Sequence, residues 1–460
     1  MTAATLLAKS SYPSCRFRDQ RLNKRAARMF QALADHPTAN LKQLATTRAE
    51  EAAYSRFLKN DATHLDSLIY GVLQESYGRL RVLPTQHLLI VNDTSEINLQ
   101  AQIGYHCRRE LGVAGNNSDA GFFLHASIAL DAMTGQPQGC AAMELWTRKG
   151  GSKDRTDGES QKWFEVQAQL NQARLPQMLT FVQDREGDMF SLWQQVQGTR
   201  HHLLTRARQD RRIAVTEQCP NGKLWADLAQ QPVGGQYSLK IKRDAKEERL
   251  ARTSVMEARW VSVELLEPRT TRATAQRVCL QAVEVRECAA SVPEGQTPLV
   301  WRLLTTHAVN SLEDTLQIVR WYLDRWRVED VFASLKTRGL DVEQTRLHSG
   351  EAIMKLCVMS LWSAARLTAL VQGREDEITD ARVFFPEAEL NCMDALCPTL
   401  EGGTAHQRNR YATRSVAWAV WILARLARWH GSGPPGIETI RAGLHTFEAV
   451  FLGWSIPKQL

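Results

Sequence analysis

The sequence predicts an α/β fold in which a mostly β insertion interrupts a mixed core and helical domains stand at both ends. Three observations predict it. Short apolar runs bounded by Gly, Asn, Asp or Pro (HLLIVND, GFFLHASIAL, CAAMELW, LTFVQD and HHLLTRA) fall between residues 85 and 205, with one helical stretch, GESQKWFEVQAQLNQARL, among them. From about 206 to 305 the texture becomes alternating and β-branched, in GGQYSLKIKRD, ARWVSVELLEP, QRVCLQAVEVRE and LVWRLLTT. On either side, apolar residues recur at helical spacing. The boundaries that follow are 1–75 for a helical N-terminal domain, 76–205 and 306–375 for the two parts of the core, 206–305 for the insertion and 376–460 for a helical C-terminal domain.

The N-terminal region breaks at His36-Pro37 and resumes as a helix through EEAAYSRFLKN. It also holds the whole charge excess. Residues 1–60 contain 11 Lys and Arg against 4 Asp and Glu, a surplus equal to the +7 of the entire chain, so the other 400 residues balance. The densest run, RFRDQRLNKRAAR, includes Lys24 and sets Arg21, Arg25 and Arg28 on one helical face with Leu22, Ala26, Met29 and Leu33 on another. Such a face attracts a phosphate backbone through counterion release; taken alone, it is a solvated helix surface. Beyond the insertion, a long helix is expected from near Ser311 to Leu335, then helices around 351–371 and 414–430. GSGPPG forms a stiff linker before a last helix, ETIRAGLHTFEAVF.

Composition narrows the class. At 460 residues, 43% apolar and 23% charged, the chain has the make-up of a globular protein of two to four domains. No signal-like apolar stretch opens it, and no window of about 18 uninterrupted apolar residues occurs. The best candidate, VAWAVWILARLARW, is broken by Arg425 and Arg428 and reads as a packed helix. A cytoplasmic protein without a membrane partner is expected. Nine scattered cysteines form no CxxC pair, and Cys392 and Cys397 lack a matching Cys/His pair, so reduced thiols are expected rather than a disulfide framework or zinc site.

Three acids suggest chemistry. LLIVND and TFVQDREGD each end a short apolar strand on a carboxylate, Asp93 and Asp184. On a single helix, Tyr322, Arg325, Glu329 and Lys336 fall within an arc of about 60°, with Val328, Val331 and Leu335 opposite as the core stripe. A charged row on a helix is ordinarily a solvated face, and an Asp at a strand end is ordinarily a turn starter. Together, however, three rigidly held carboxylates suit hard Mg²⁺ ions. Two such ions about 4 Å apart clamp the attacking and leaving oxygens of a phosphodiester displacement. Arg325, Lys336 and the Tyr322 hydroxyl would then hold nonbridging oxygens. GxxxxGK[ST], GxSxG, HExxH and strand-linked GxGxxG are all absent, which argues against a nucleotide cofactor. His201-His202 receive no catalytic role.

The spacing Tyr322-x2-Arg325-x3-Glu329-x6-Lys336 is the Tyr-Arg-Glu-Lys signature of one branch of bacterial DDE transposases, and VNDTS and VQDREGD look like the segments that carry its two aspartates. The chain resembles, nearly end to end, the insertion-sequence four family. RFRDQRLNKRAARMFQALADHP and EEAAYSRFLKN resemble its N-terminal DNA-binding region, ESQKW a helix start in its catalytic core, and ILARLARW with GWSIPKQL, loosely, its C-terminal region. The resemblance implies a ribonuclease H-like catalytic core with Asp93, Asp184 and Glu329 as both catalytic residues and ligands of Mg²⁺ (or Mn²⁺). Separations of 91 and 145 residues fit an insertion in the second interval. It also implies that Trp301 stacks on a base flipped from the DNA end, and that Arg206 and Arg208 line the DNA path. Trp326 lies close enough to the catalytic face on the wheel to touch DNA. Two departures stand out: Ala333 replaces a second lysine, and GSGPPG lacks a preceding Lys-Arg pair. Glu186 and Asp188 are rival carboxylates beside Asp184.

The resemblance thus implies an enzyme that binds inverted-repeat ends of double-stranded DNA, cuts them by two-metal hydrolysis and joins the 3′-hydroxyls to target DNA. It further implies a hairpin at the cleaved end and a homodimer, with the C-terminal domain at the dimer interface. Two other readings stay open: a ribonuclease H-like structure-specific DNA nuclease, and a non-catalytic DNA-binding regulator of transposition, whose mark would be an incomplete triad or truncated end.

Overall fold

A computed structural model describes residues 12–116, 118–148, 160–241, 243, 249–268 and 276–456. The opening MTAATLLAKSS, Gly158 and Glu159 of the expected central helix, Lys242 and Asp244 of the first insertion strand, and the final PKQL lie outside the described residues.

Three main helices fill the N-terminal region: α1 (Gln20–Asp35), α2 (Arg48–Lys59) and α3 (Leu65–Leu80). The Asp19 carboxylate caps α1 by accepting from the Arg21 amide, and the chain leaves the helix at His36, the residue before Pro37. Then follow β1 (His87–Asn98), β2 (Ala120–Asp131), β3 (Pro137–Trp146), α4 (Gln161–Ala173) and β4 (Met178–Gln183). After α5 (Phe190–Val196) come β5 (His202–Arg206) and α6 (Leu224–Gln230). The four expected insertion strands are β6 (Gly235–Ile241), β7 (Arg252–Leu266), β8 (Arg277–Glu287) and β9 (Val300–Thr305). Helices α7 (Leu312–Asp324), α8 (Arg327–Lys336), α9 (Gly350–Gln372), α10 (Glu387–Leu400), α11 (Val416–Leu426) and α12 (Ile437–Ser455) complete the chain.

Two expectations are corrected. β1 does not close at Asp93 but runs on to Asn98, so Asp93 is a mid-strand residue. The expected single helix over 311–335 is two helices, because the backbone ladder is interrupted at Arg325 and Trp326, where the Arg325 amide turns back to Tyr322 and Leu323. The physical reason lies in what each half buries. Ile318, Val319 and Tyr322 are buried before the break, and Val328, Val331 and Leu335 after it, so each helix packs an apolar stripe of its own.

The chain forms two compact units. The smaller comprises His87–Asn92 and Met178–Arg325, and the larger Met1–Gln86, Asp93–Gln177 and Trp326–Leu460. In the smaller unit β1 pairs in parallel with β4 (Leu88 opposite Leu179, Val91 opposite Val182), and β4 in parallel with β5. The sheet continues antiparallel through β9, β8, β7 and β6. The insertion strands are therefore hydrogen-bonded into the same mixed sheet as the core strands. Leu88 to Val91 are fully buried, as expected of a parallel strand covered on both faces, whereas edge strand β6 alternates, with Gln236, Ser238 and Lys240 outward.

In the larger unit α9 is the central element, packed by α1, α2, α3, α8, α12 and β3. It is the one helix among the described residues long and apolar enough to cross a membrane, and it is buried along almost its whole length. Each fully buried Leu or Ile on it, such as Ile353 and Leu356, contributes about 1.5–3 kcal/mol of transfer free energy. Lys355 is buried there as an ion pair with Glu351 at 2.8 Å, and also donates to the Asn60 carbonyl. Trp418, Trp421, Phe385 and Phe447 belong to a C-terminal aromatic core. All nine cysteines are free thiols.

Histidines gather in the smaller unit. The Thr180 hydroxyl lies 2.7 Å from both His87 Nε2 and His307 Nε2, and His202 stacks on His307 with ring centroids 3.8 Å apart. Trp321 sets its ring against His87 and His307, each at 4.8 Å. Burial, then the neighbouring imidazoles, pushes His307 down to about 3; burial lowers His202 as well. These rings are neutral in the fold, while an unfolded histidine takes up a proton near pH 6.5. Their contribution is therefore complete above pH 6.5 and is lost as pH falls towards 3. The larger unit has the opposite sign, since burial raises the Asp35 and Glu389 carboxyls to about 8 and about 7. Between pH 6.5 and 4 the two contributions oppose each other in the parent, so the histidine share is read by difference. In thermal unfolding followed against pH, His307→Leu should gain stability relative to the parent as pH falls from 6.5 to 4, and an unchanged difference would refute the assignment.

Candidate active site

In the smaller unit four elements bring five of the expected site residues together. β4 ends at Gln183, and Asp184 then caps a short 3₁₀ turn, its carboxylate accepting from the Glu186 amide at 2.8 Å. Gly187 suits this turn because a Cβ there would collide with the Gln183 side chain. Arg206 closes β5, Trp301 lies on β9, and Tyr322 and Arg325 stand in the last turn of α7 and just after it. The Tyr322 ring is buried, with the Trp301 ring centroid 6.3 Å away and the Arg325 guanidinium 6.0 Å from its centre. Burial raises the Tyr322 hydroxyl; the Arg325 and Arg206 cations pull it back, and the Asp184 charge adds to the rise. Burial also pulls Arg206 below its ordinary value, while the nearby Tyr322 works the other way. The buried Arg325 and half-buried Arg206 guanidiniums and a phenol beside one carboxylate form a cluster of donors suited to phosphate oxygens.

The rival acids near Asp184 separate clearly. Asp188 is buried and spent on structure: it takes Arg211 Nη2 at 2.8 Å, Arg211 Nε at 2.9 Å, the Arg208 amide at 2.9 Å and Trp193 Nε1 at 3.2 Å. Glu186 is exposed, and Asp184 is half-buried. The side chain of Arg208, expected on the DNA path, is exposed. Arg211 was not singled out in the sequence; the only signal was an arginine at the edge of a strand-rich segment.

The larger unit holds the other expected residues. Asp93 is half-buried within β1, its carboxylate accepting from the Thr94 amide at 2.7 Å. Glu329 is half-buried in the first turn of α8, where the helix dipole favours an acid. Lys336, expected to grip phosphate, instead donates to the Glu96 carbonyl at 2.7 Å and pairs with Glu343 at 3.1 Å. Glu343 also accepts from the Asn98 amide, so it joins Lys336 to β1. Neither glutamate was foreseen. Trp326 is 53% exposed. Asp93 and Glu329 thus belong to one unit and Asp184 to the other. Among the described residues, no three His, Cys, Asp or Glu side chains group as a metal-ligand set.

On α1, Ala26, Met29, Phe30 and Leu33 are buried, while Arg21, Lys24 and Arg28 are exposed and Arg25 is partly so. The basic face is present but less free than the sequence suggests. Arg28 pairs with Glu50 at 2.8 Å and Arg21 with Asp19 at 3.2 Å.

Two family models match the chain. Residues 6–63 match the model of the family described as transposase DNA-binding, and residues 146–365 that of the transposase DDE domain. The first range covers the basic helix, and the second contains Asp184, Arg206, Trp301, Tyr322, Arg325, Glu329 and Lys336; Asp93 precedes it. The chain carries a transposase DNA-binding region and a DDE domain, which support a DDE transposase acting on DNA.

Removing one partner of a buried ion pair leaves the other charge uncompensated. Arg211→Ala should destabilise the protein by about 3–5 kcal/mol in urea unfolding. Asp184→Asn should change stability by less than about 1 kcal/mol. Equal costs would mean that Asp188 and Asp184 do not divide into structural and available carboxylates.

Proposed function

We propose that this chain is a cut-and-paste DNA transposase of the insertion-sequence four family, similar to the transposon five transposase. In this reading it binds inverted-repeat transposon ends as a homodimer, cuts them as an endonuclease through a hairpin and joins their 3′-hydroxyls to target DNA. The observation that carries the reading is the donor cluster of Arg206, Tyr322 and Arg325 beside Asp184 and Trp301, inside the segment that matches the DDE domain.

Asp93, Asp184 and Glu329 are assigned as the ligands of Mg²⁺ (or Mn²⁺). They supply only carboxylate oxygens, the donor type that hard divalent cations take. When bound, the cations would lower the pKa of the attacking water and stabilise the leaving oxygen. The protein's own side chains position the DNA. Arg325 and Arg206 would donate to nonbridging oxygens, the Tyr322 hydroxyl would fix one of them, and Trp301 would stack on an extruded base. Lys336 would exchange Glu343 for a phosphate. Lys24 and Arg25 on α1, with Arg21 and Arg28, would track the backbone of the end sequence.

Incubation with Mg²⁺ and linear DNA bearing the flanking repeats should yield end cleavage. Asp93→Asn, Asp184→Asn and Glu329→Gln should each lower it by at least about a hundredfold while retaining gel-shift binding. Cleavage at the parent rate by any of the three would remove that residue from the metal set. For DNA binding, Lys24→Ala with Arg25→Ala should weaken affinity and reduce the slope of log K against log salt by about 0.9 per lost phosphate contact. An unaltered slope would move the DNA-binding surface off α1.

A further inference from the structure

A cleft of about 350 Å³ opens in the larger unit where α8, α9 and the start of α12 meet. Arg327, Asp330 and Ser334 line it from α8, Arg338 from the turn that follows, and Thr368 and Arg374 from α9 and just beyond. At 100° per residue, Arg327, Asp330 and Ser334 occupy the face of α8 roughly opposite Glu329 and Lys336, so the cleft lies on the back of the Glu329 helix.

Its charges do not balance. Three guanidiniums converge on it against one carboxylate, Asp330, which stands 3.9 Å from Arg327 and accepts from Gln372 at 3.4 Å. Arg338 is exposed, and Arg374 reaches only the Val371 carbonyl at 3.3 Å. Neither has a carboxylate partner among the described residues. The buried Ser334 and Thr368 hydroxyls, 3.0 Å apart, add polar character to the lining. Like charges around a concave space repel until an anion enters, and planar guanidinium forks match phosphate oxygens. The volume falls in the range of small-molecule sites, roughly 300–1,000 Å³, and the lining is bounded by helices rather than drawn out as a groove that tracks a nucleic-acid strand.

We propose that this cleft binds a small polyphosphate anion, of the diphosphate or nucleoside diphosphate class, through Arg327, Arg338 and Arg374. The site is independent of the DNA-processing function. Its occupancy would brace α8 against α9 from the side away from Glu329.

The test is calorimetric titration of the full chain with sodium pyrophosphate, and separately with ADP, at ionic strength held constant with KCl. Saturable one-to-one binding is expected, weakened at least about tenfold by Arg338→Ala or Arg374→Ala and unchanged by Lys240→Ala on the edge strand β6. Should an alanine variant fail to fold, Arg338→Lys and Arg374→Lys keep the charge but lose the fork, and a severalfold loss is expected. No saturable binding overturns the proposal, as does affinity unchanged in the double variant. Binding of short duplex DNA, but not of pyrophosphate, that depends on Arg338 and Arg374 also overturns it.

Discussion

The parallel ladder between Leu88–Val91 and Leu179–Val182 is the constraint from which the rest follows. Parallel strands this apolar must be covered on both faces, and the chain can join them only through a long crossover. The crossover here includes β2, β3 and α4, and α7 packs on β4, β5 and β7. Once β4 is held, the residue that follows it is held too. Asp184 leaves the ladder directly into a capped turn, and its position derives from backbone hydrogen bonds rather than from a flexible loop.

Electrostatics then divides the neighbouring acids. A buried carboxylate needs a partner, and Asp188 has Arg211 with two further donors, the Arg208 amide and Trp193 Nε1, so its charge is committed. Asp184 sits instead within the field of Tyr322, which the buried Arg325 and half-buried Arg206 guanidiniums also reach. Cations set beside a phenol and a carboxylate in a partly dehydrated cluster are useful where an anion must be gripped. The same contrast appears on α8. Lys336 is satisfied by Glu343 and the Glu96 carbonyl, whereas Arg338, in the turn that follows the helix, has no acid partner among the described residues.

Helices, strands and the basic N-terminal face were legible because they rest on local periodicity. LLIVND and LTFVQD are strands, α1 buries the stripe its spacing dictates, and the insertion strands appear where alternation places them. The wheel through Tyr322 and Glu329 assumed one straight helix, and that assumption failed. Periodicity is blind to a break at which both residues keep helical dihedrals, as Arg325 and Trp326 do. Similarly, nothing local distinguishes an aspartate at the end of a strand from one in its middle, which is why β1 outran Asp93.

By itself, the sequence determined which residue types are available and on which local element each stands: three carboxylates, a Tyr-Arg-Glu-Lys spacing, an amphipathic basic helix and a strand-rich insertion. Only the tertiary structure decided how those groups are spent. Arg211 lies 23 residues from Asp188 and Glu343 lies 245 from Asn98, yet these contacts settle which charges are neutralised. They depend on desolvation and on partners brought close by packing, and neither leaves a trace in the spacing of residues along one element.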